Sequence, residues 1–240
     1  EIQFNNLKPR TINKEKKIIV FTVLFGNYDN LQDPLYVSEN CDYYVLANND
    51  TVINSKIWKK FDYSSDQSKL LDGMSNLEKA RFCKLHPHIF FGDSDYSIFI
   101  DANVQLVTDV RPFVETLSDN FIAIHLQPGR CCLYQEATEV LAWKKANKSA
   151  VQMQMKKYKE EGFPRDFGMY QTNVLVRDHN HKDCITLMDQ WWHEIQNNTK
   201  RDQLSFTYSL WKCGFSSKNV SVLGPSSYQN PRIIVHEHIV

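Results

Sequence analysis

The 240-residue sequence has no excess charge of either sign, its 28 basic residues standing against 28 acidic ones. A neutral balance offers nothing for a polyanion or an anionic membrane surface to recognise, so nucleic acid is not expected as a partner and any basic site has to be local. No apolar run approaches the roughly 20 residues of a membrane-spanning helix, and no signal peptide opens the chain. The six cysteines, at 41, 83, 131, 132, 184 and 213, show neither CxxC spacing nor a metal-knuckle pairing with histidine. Free, mostly buried thiols in a reducing compartment are expected. The Asn-x-Ser/Thr triplets at Asn49, Asn147, Asn197 and Asn219 then read as chance products of an Asn-rich chain. The expected setting is bacterial cytoplasm, at most peripheral to a membrane; a Golgi lumen is the alternative, in which those triplets would matter. The chain starts at Glu1 without Met and is expected to be a piece of a longer protein.

With 42% hydrophobic and 23% charged residues, the chain can bury a substantial core, and no repeat or low-complexity linker divides it, so one α/β domain over 1–240 is expected. "KKIIVFTVLFGNYDN" predicts a buried strand over 18–25 that ends in a loop at 26–30, and "CDYYVLANND" a second strand and turn. "SNLEKARFCKLHPH" is helical to about Leu85 with Pro87 near its end. "DYSIFID", "RPFVETLSD" and "NFIAIH" continue as strand, helix and strand. Helices over "YQEATEVLAWKKAN" and "AVQMQMKKYKEEG" precede the strand "GMYQTNVLVR". Cys184, Leu187, Met188, Trp191, Trp192 and Ile195 recur at helical spacing, which makes the Trp pair core. A last helix, "RDQLSFTYSLWKCG", leads into short strands and "HEHIV". Alternating strands and helices imply a largely parallel sheet covered on both faces, with ligands beyond the carboxyl ends of its strands.

Asp101 sits at such an end. A strand-end Asp commonly closes an Asx-turn, but a carboxylate is also a hard oxygen ligand for Mg or Mn. Arg81 and Lys84, three apart on the preceding helix, share a face and can address one anion. His125 and Arg130 flank a Pro-Gly loop after the next strand. Glu136 and Asp202 each open a helix, where a negative charge suits the dipole. His236 and His238 lie on one side of an extended segment, from which both could reach a metal.

In this order, "FGNYD", "KLHPH", "DYSIFIDANVQL", "HLQPGRCCLYQEA", "QTNVLVRDHN", "WW" and "RDQLSF" resemble a glycosyltransferase-like family first known only as a domain of unknown function (DUF 616). It includes plant mucilage-related and rhamnogalacturonan galacturonosyltransferase-like proteins and bacterial members. The resemblance implies a GT-A fold: an α/β, Rossmann-type, mixed and mostly parallel sheet with helices on both faces. About 18–125 would be the nucleotide-sugar-binding half and about 126–240 the acceptor half. It implies sugar transfer from a nucleotide sugar, UDP-linked by expectation, to a glycan or glycolipid acceptor, as in capsule or lipopolysaccharide assembly. The plant relatives imply retention of anomeric configuration. Asp202, then Glu136, are the catalytic residues so implied. Phe25, Gly26, Asn27, Tyr28, Arg81, Lys84, Asp101, Ala102, Asn103, His125, Arg130 and Gln203 would hold the donor. Asp101 and Asn103 occupy the positions of an acidic metal-binding pair, with His236 and His238 as further ligands. Asn103, a neutral oxygen ligand, implies a weak Mn or Mg site in which basic side chains supply part of the charge. Two alternatives stay open: a degenerate module that binds nucleotide or glycan without catalysis, and an Asp-nucleophile phosphatase, which Asn103 disfavours because it cannot exchange a proton.

Overall fold

The computed structural model describes residues 8–26 and 30–238. In chain order these form β1 (Ile18–Leu24), β2 (Cys41–Ala47), β3 (Lys59–Lys60), α1 (Ser65–Leu70), α2 (Asn76–Leu85), α3 (Pro87–Phe90), β4 (Tyr96–Ile100), β5 (Val104–Leu106), α4 (Arg111–Glu115) and β6 (Ile122–Leu126). There follow α5 (Leu133–Ala142), α6 (Lys148–Glu160), β7 (Tyr170–Arg177), α7 (Lys182–Asn197), α8 (Phe206–Lys212), β8 (Ser221–Val222) and β9 (Ile233–Val235). Seven strands make one sheet in the order β3-β2-β1-β4-β7-β6-β8, while β5 and β9 pair separately.

The period-2 pattern of the strands explains the two cores. Ile19 and Phe21 of β1, with Phe99 of β4, point to one face, where Phe82, Leu85, Leu187, Trp191 and Phe206 cover them. Ile18 and Val20, with Ile98 and Ile100, point to the other face, against Trp58, Phe113 and Val114. Strands buried on both faces read as continuous apolar runs, as β1 does. A third cluster joins α5, α6 and α8 through Leu133, Val140, Val151 and Tyr208, and Tyr158 stacks on Tyr208 at 3.6 Å.

The sheet is mixed. β1, β2, β3 and β4 run parallel, as do β6 and β8, but β7 lies antiparallel between β4 and β6. This reversal brings the start of β7 to the carboxyl ends of β4 and β6, and the Asp101 N–H donates to the Asn173 carbonyl at 2.9 Å. The last expected helix is not continuous. Asp202–Leu204 form a 3-10 turn, and α8 begins only at Phe206. The cause is the Asp202 carbonyl, which is taken by the Ser205 N–H (3.1 Å) and by the Trp191 indole N–H (2.9 Å). α1 was hidden by its six-residue length, although Ser64 and Gln67 form a capping box at its start.

Candidate active site

A cleft of about 1180 Å³ opens beyond the carboxyl ends of β1 and β4 and extends across β7 onto α5. Its floor is an ion network. Ser75 and Glu78 cap the start of α2 reciprocally; one turn later Arg81 lines the cleft, whereas Lys84, expected from the sequence to hold the donor, is buried and does not line it. The Lys84 ammonium is 1% exposed and lies 2.6 Å from Asp202 Oδ2 and 3.6 Å from Asp101 Oδ1. It also sits 4.7 Å from the Phe99 ring centroid. Arg81 reaches Asp202 Oδ2 at 3.4 Å, and its Nε–H donates to the Lys200 carbonyl at 3.2 Å.

The two carboxylates respond differently to this shared cation. Burial pushes both pKa values up. At Asp202 the opposing pull of Arg81 and Lys84 wins and holds the carboxyl far below the usual range, so it stays ionised at any physiological pH. At Asp101 desolvation prevails over the attraction of Lys84, helped by repulsion from Asp202, and the pKa is raised. The side chain of Asp101 is nevertheless one-third exposed to the cleft.

Most of the residues expected from the sequence meet here. Phe25, Gly26, Arg81, Asp101, Ala102, Asn103, Arg130, Glu136, Asp202, Gln203 and His238 all line the cleft. Gly26 suits its position because its φ is +83°, a conformation that other residues rarely adopt. Asn27 and Tyr28 lie outside the described residues. The Gln203 amide donates to Gln127 Oε1 (2.9 Å) and to the Tyr170 carbonyl (3.1 Å), which ties the Asp202 turn to β7. Arg130 does not present a free fork, because its Nε–H donates to Glu136 Oε2 at 2.6 Å.

Two further expectations fail. His125 is buried within β6 with its Nε2 2.8 Å from the Asn230 amide, and it does not line the cleft. β6 runs on to Leu126, with a register shift between Ile124 and His125, so His125 lies inside the strand and not in the loop beyond its end. His236 and His238 do not face the same way either. His236 Nε2 contacts Gln105 Oε1 at 3.0 Å, whereas His238 lines the cleft. Regular alternation ends with β9 at Val235, so the two-residue spacing no longer fixes a common side.

Sequence reasoning missed Gln171, Thr172 and Asn173, because composition does not reveal the direction of β7. It also missed Lys200 and Arg201, which line the cleft beside Asp202. Asn173 Oδ1 and Arg201 Nε are buried polar atoms without a hydrogen-bond partner among the described residues.

The family described as TOD1/MUCI70, glycosyltransferase-like domain, matches residues 73–230, which hold all of the ion network. The chain belongs to this family. Within the TOD1/MUCI70 family, a curated relative is the probable hexosyltransferase MUCI70 of Arabidopsis thaliana, 25% identical over 226 residues, covering 79% of this chain and 36% of that protein. The chain thus spans about a third of the relative's length. Among solved structures, the apo WbbM bifunctional glycosyltransferase superposes with a TM-score of 0.53 at 11% identity, over 97% of this chain and 47% of that one. The fold is GT-A. The galactosyltransferase LgtC, solved with donor and acceptor sugar analogs, matches at a TM-score of 0.47 and 13% identity, over 85% of this chain and 72% of that one.

Proposed function

We propose that this member of the TOD1/MUCI70 family transfers a sugar from a nucleoside-diphosphate donor, UDP-linked in our reading, to a glycan or glycoconjugate. The observation that carries the proposal is the pair of carboxylates bridged by buried Lys84 at the carboxyl end of β4, with Arg81 beside them. Sugar transfer breaks an anomeric C–O bond, leaving negative charge on the diphosphate and positive charge on the sugar. Arg81 and Arg201 are available to the former, and the Asp202 carboxylate to the latter. An Asp202 whose proton affinity is suppressed by two cations is a poor base for an acceptor hydroxyl, since a base works best with a pKa near the operating pH. It suits the stabilisation of the sugar cation that develops in either stereochemical course.

The donor set suits half a cation shell. Asp101 offers a carboxylate, and His238 lines the same cleft. The Asn103 amide nitrogen donates to the His236 carbonyl at 2.7 Å, leaving the side-chain oxygen for a metal. No group of three or more His, Cys, Asp or Glu among the described residues could hold a metal, so donor phosphates would have to complete the shell. In our reading Asp101, Asn103 and His238 hold a weak Mn or Mg that offsets charge on the leaving diphosphate.

The test is release of nucleotide from a panel of nucleotide sugars, paired with thermal shifts. A nucleoside diphosphate at 100 times its Kd should add about 2.7 kcal/mol to the wild type, and Asp101→Ala should lose that response. Release from no donor in the panel would refute transfer. An undiminished thermal shift in Asp101→Ala would remove this carboxylate from the donor site.

A further inference from the structure

Beyond Asp202 the cleft continues along α5 and the turn that joins it to α6. Glu136, Glu139, Val140 and Trp143 recur at helical spacing, so one face of α5 and the residue that caps its C-terminus form this wall together. Trp143 is the anomaly. Of the five tryptophans in the chain, Trp58 and Trp191 are buried and Trp192 and Trp211 half-buried, whereas Trp143 is 70% exposed. An indole gains more from burial than almost any other side chain, yet this one stands in solvent at the edge of the cleft.

The turn that carries it is well fixed. The Trp143 N–H donates to the Glu139 carbonyl at 2.9 Å, and the Lys145 N–H closes back on the Val140 carbonyl at 2.9 Å. Between them Lys144 adopts φ +52°, a left-handed position that ordinarily takes glycine or asparagine. On the far side the Asn147 side chain accepts from the Ala150 N–H at 3.0 Å and caps α6, so both ends of the turn are anchored. The Arg130–Glu136 ion pair lines the same cleft, with the Glu136 side chain 7% exposed.

An exposed aromatic on a fixed turn, lining the same cleft as charged side chains, matches the chemistry of a pyranose ring, which has an apolar C–H face and a polar rim. We propose that this wall is an acceptor subsite, where a saccharide unit of the acceptor stacks on Trp143 and directs its hydroxyls toward Glu139 and Lys145. The proposal rests on the glycosyl-transfer reading and adds to it where the acceptor lies and which side chains hold it.

The experiment first finds a donor by nucleotide release without acceptor. It then measures transfer to two sets of oligosaccharides, neutral glucans and uronate-containing chains, by wild type, Trp143→Ala and Trp143→Phe. For whichever set is glycosylated, Trp143→Ala should raise the acceptor KM at least about tenfold, the donor KM should stay near the wild-type value, and Trp143→Phe should recover part of the loss. An unchanged acceptor KM in Trp143→Ala overturns the subsite. So does a wild type that hydrolyses donor but whose turnover no saccharide in either set increases. Absence of nucleotide release in the acceptor-free arm is a separate result: it defeats the glycosyl-transfer reading, and the subsite with it.

Discussion

Lys84 is the residue on which the site turns, because it is buried and touches both carboxylates. A buried ion pair loses more when one partner is removed than it contributes when intact, since the remaining charge stays desolvated. Lys84→Met, which keeps much of the side-chain volume, should therefore destabilise the fold by about 3 to 5 kcal/mol, read from denaturant midpoints. A loss well under 1 kcal/mol would mean that Arg81 alone satisfies Asp202. The Arg81–Lys84 face was legible in the sequence because helical neighbours are set by spacing. The pairing of Lys84 with Asp202 was not, since Asp202 lies 118 residues further on. Asp202 itself was marked by the family resemblance of "RDQLSF" and not by any local pattern.

At the scale of elements, what decides the site is how the segment before α8 is held. Trp191 of α7 is buried, and its indole N–H donates to the Asp202 carbonyl, fixing the 3-10 turn that presents the carboxylate. Trp191→Phe keeps an aromatic ring in the core but removes that donor. It should cost about 1 kcal/mol for the hydrogen bond, and more if the smaller ring leaves a void. It should also lower turnover while leaving nucleotide affinity near wild type. Equal turnover in the variant would show that Gln203 and Ser205 hold the turn unaided. Periodicity marked β1, β4, α2 and α7 to within one or two residues, because each is a long, regular pattern. It could not mark the break at Ser205, which depends on a hydrogen bond from another helix, nor the antiparallel entry of β7, which supplies Gln171, Thr172 and Asn173.

Across the whole molecule, His86, His125 and His179 are each pushed down to about 4 by burial. All three are buried, two of them fixed on backbone carbonyls and His125 on Asn230. The folded state keeps them neutral, while the unfolded chain takes up protons below about pH 6.5. Their contribution is complete above that value and is lost as pH falls from about 6.5 to about 4, at up to about 3 kcal/mol for each. Tm should thus drop steeply over this window, and a flat profile from pH 7 to 4 would contradict the burial of these rings. The central claim concerns Asp202 as a permanently ionised group facing the reacting sugar. Its most direct test is Asp202→Asn, which keeps the shape and removes the charge. Transfer should fall by about 100-fold to 1000-fold, with nucleotide Kd nearly unchanged, across the pH range in which the fold is stable. Wild-type turnover in Asp202→Asn would contradict the account and leave Asp202 as a structural partner of Lys84.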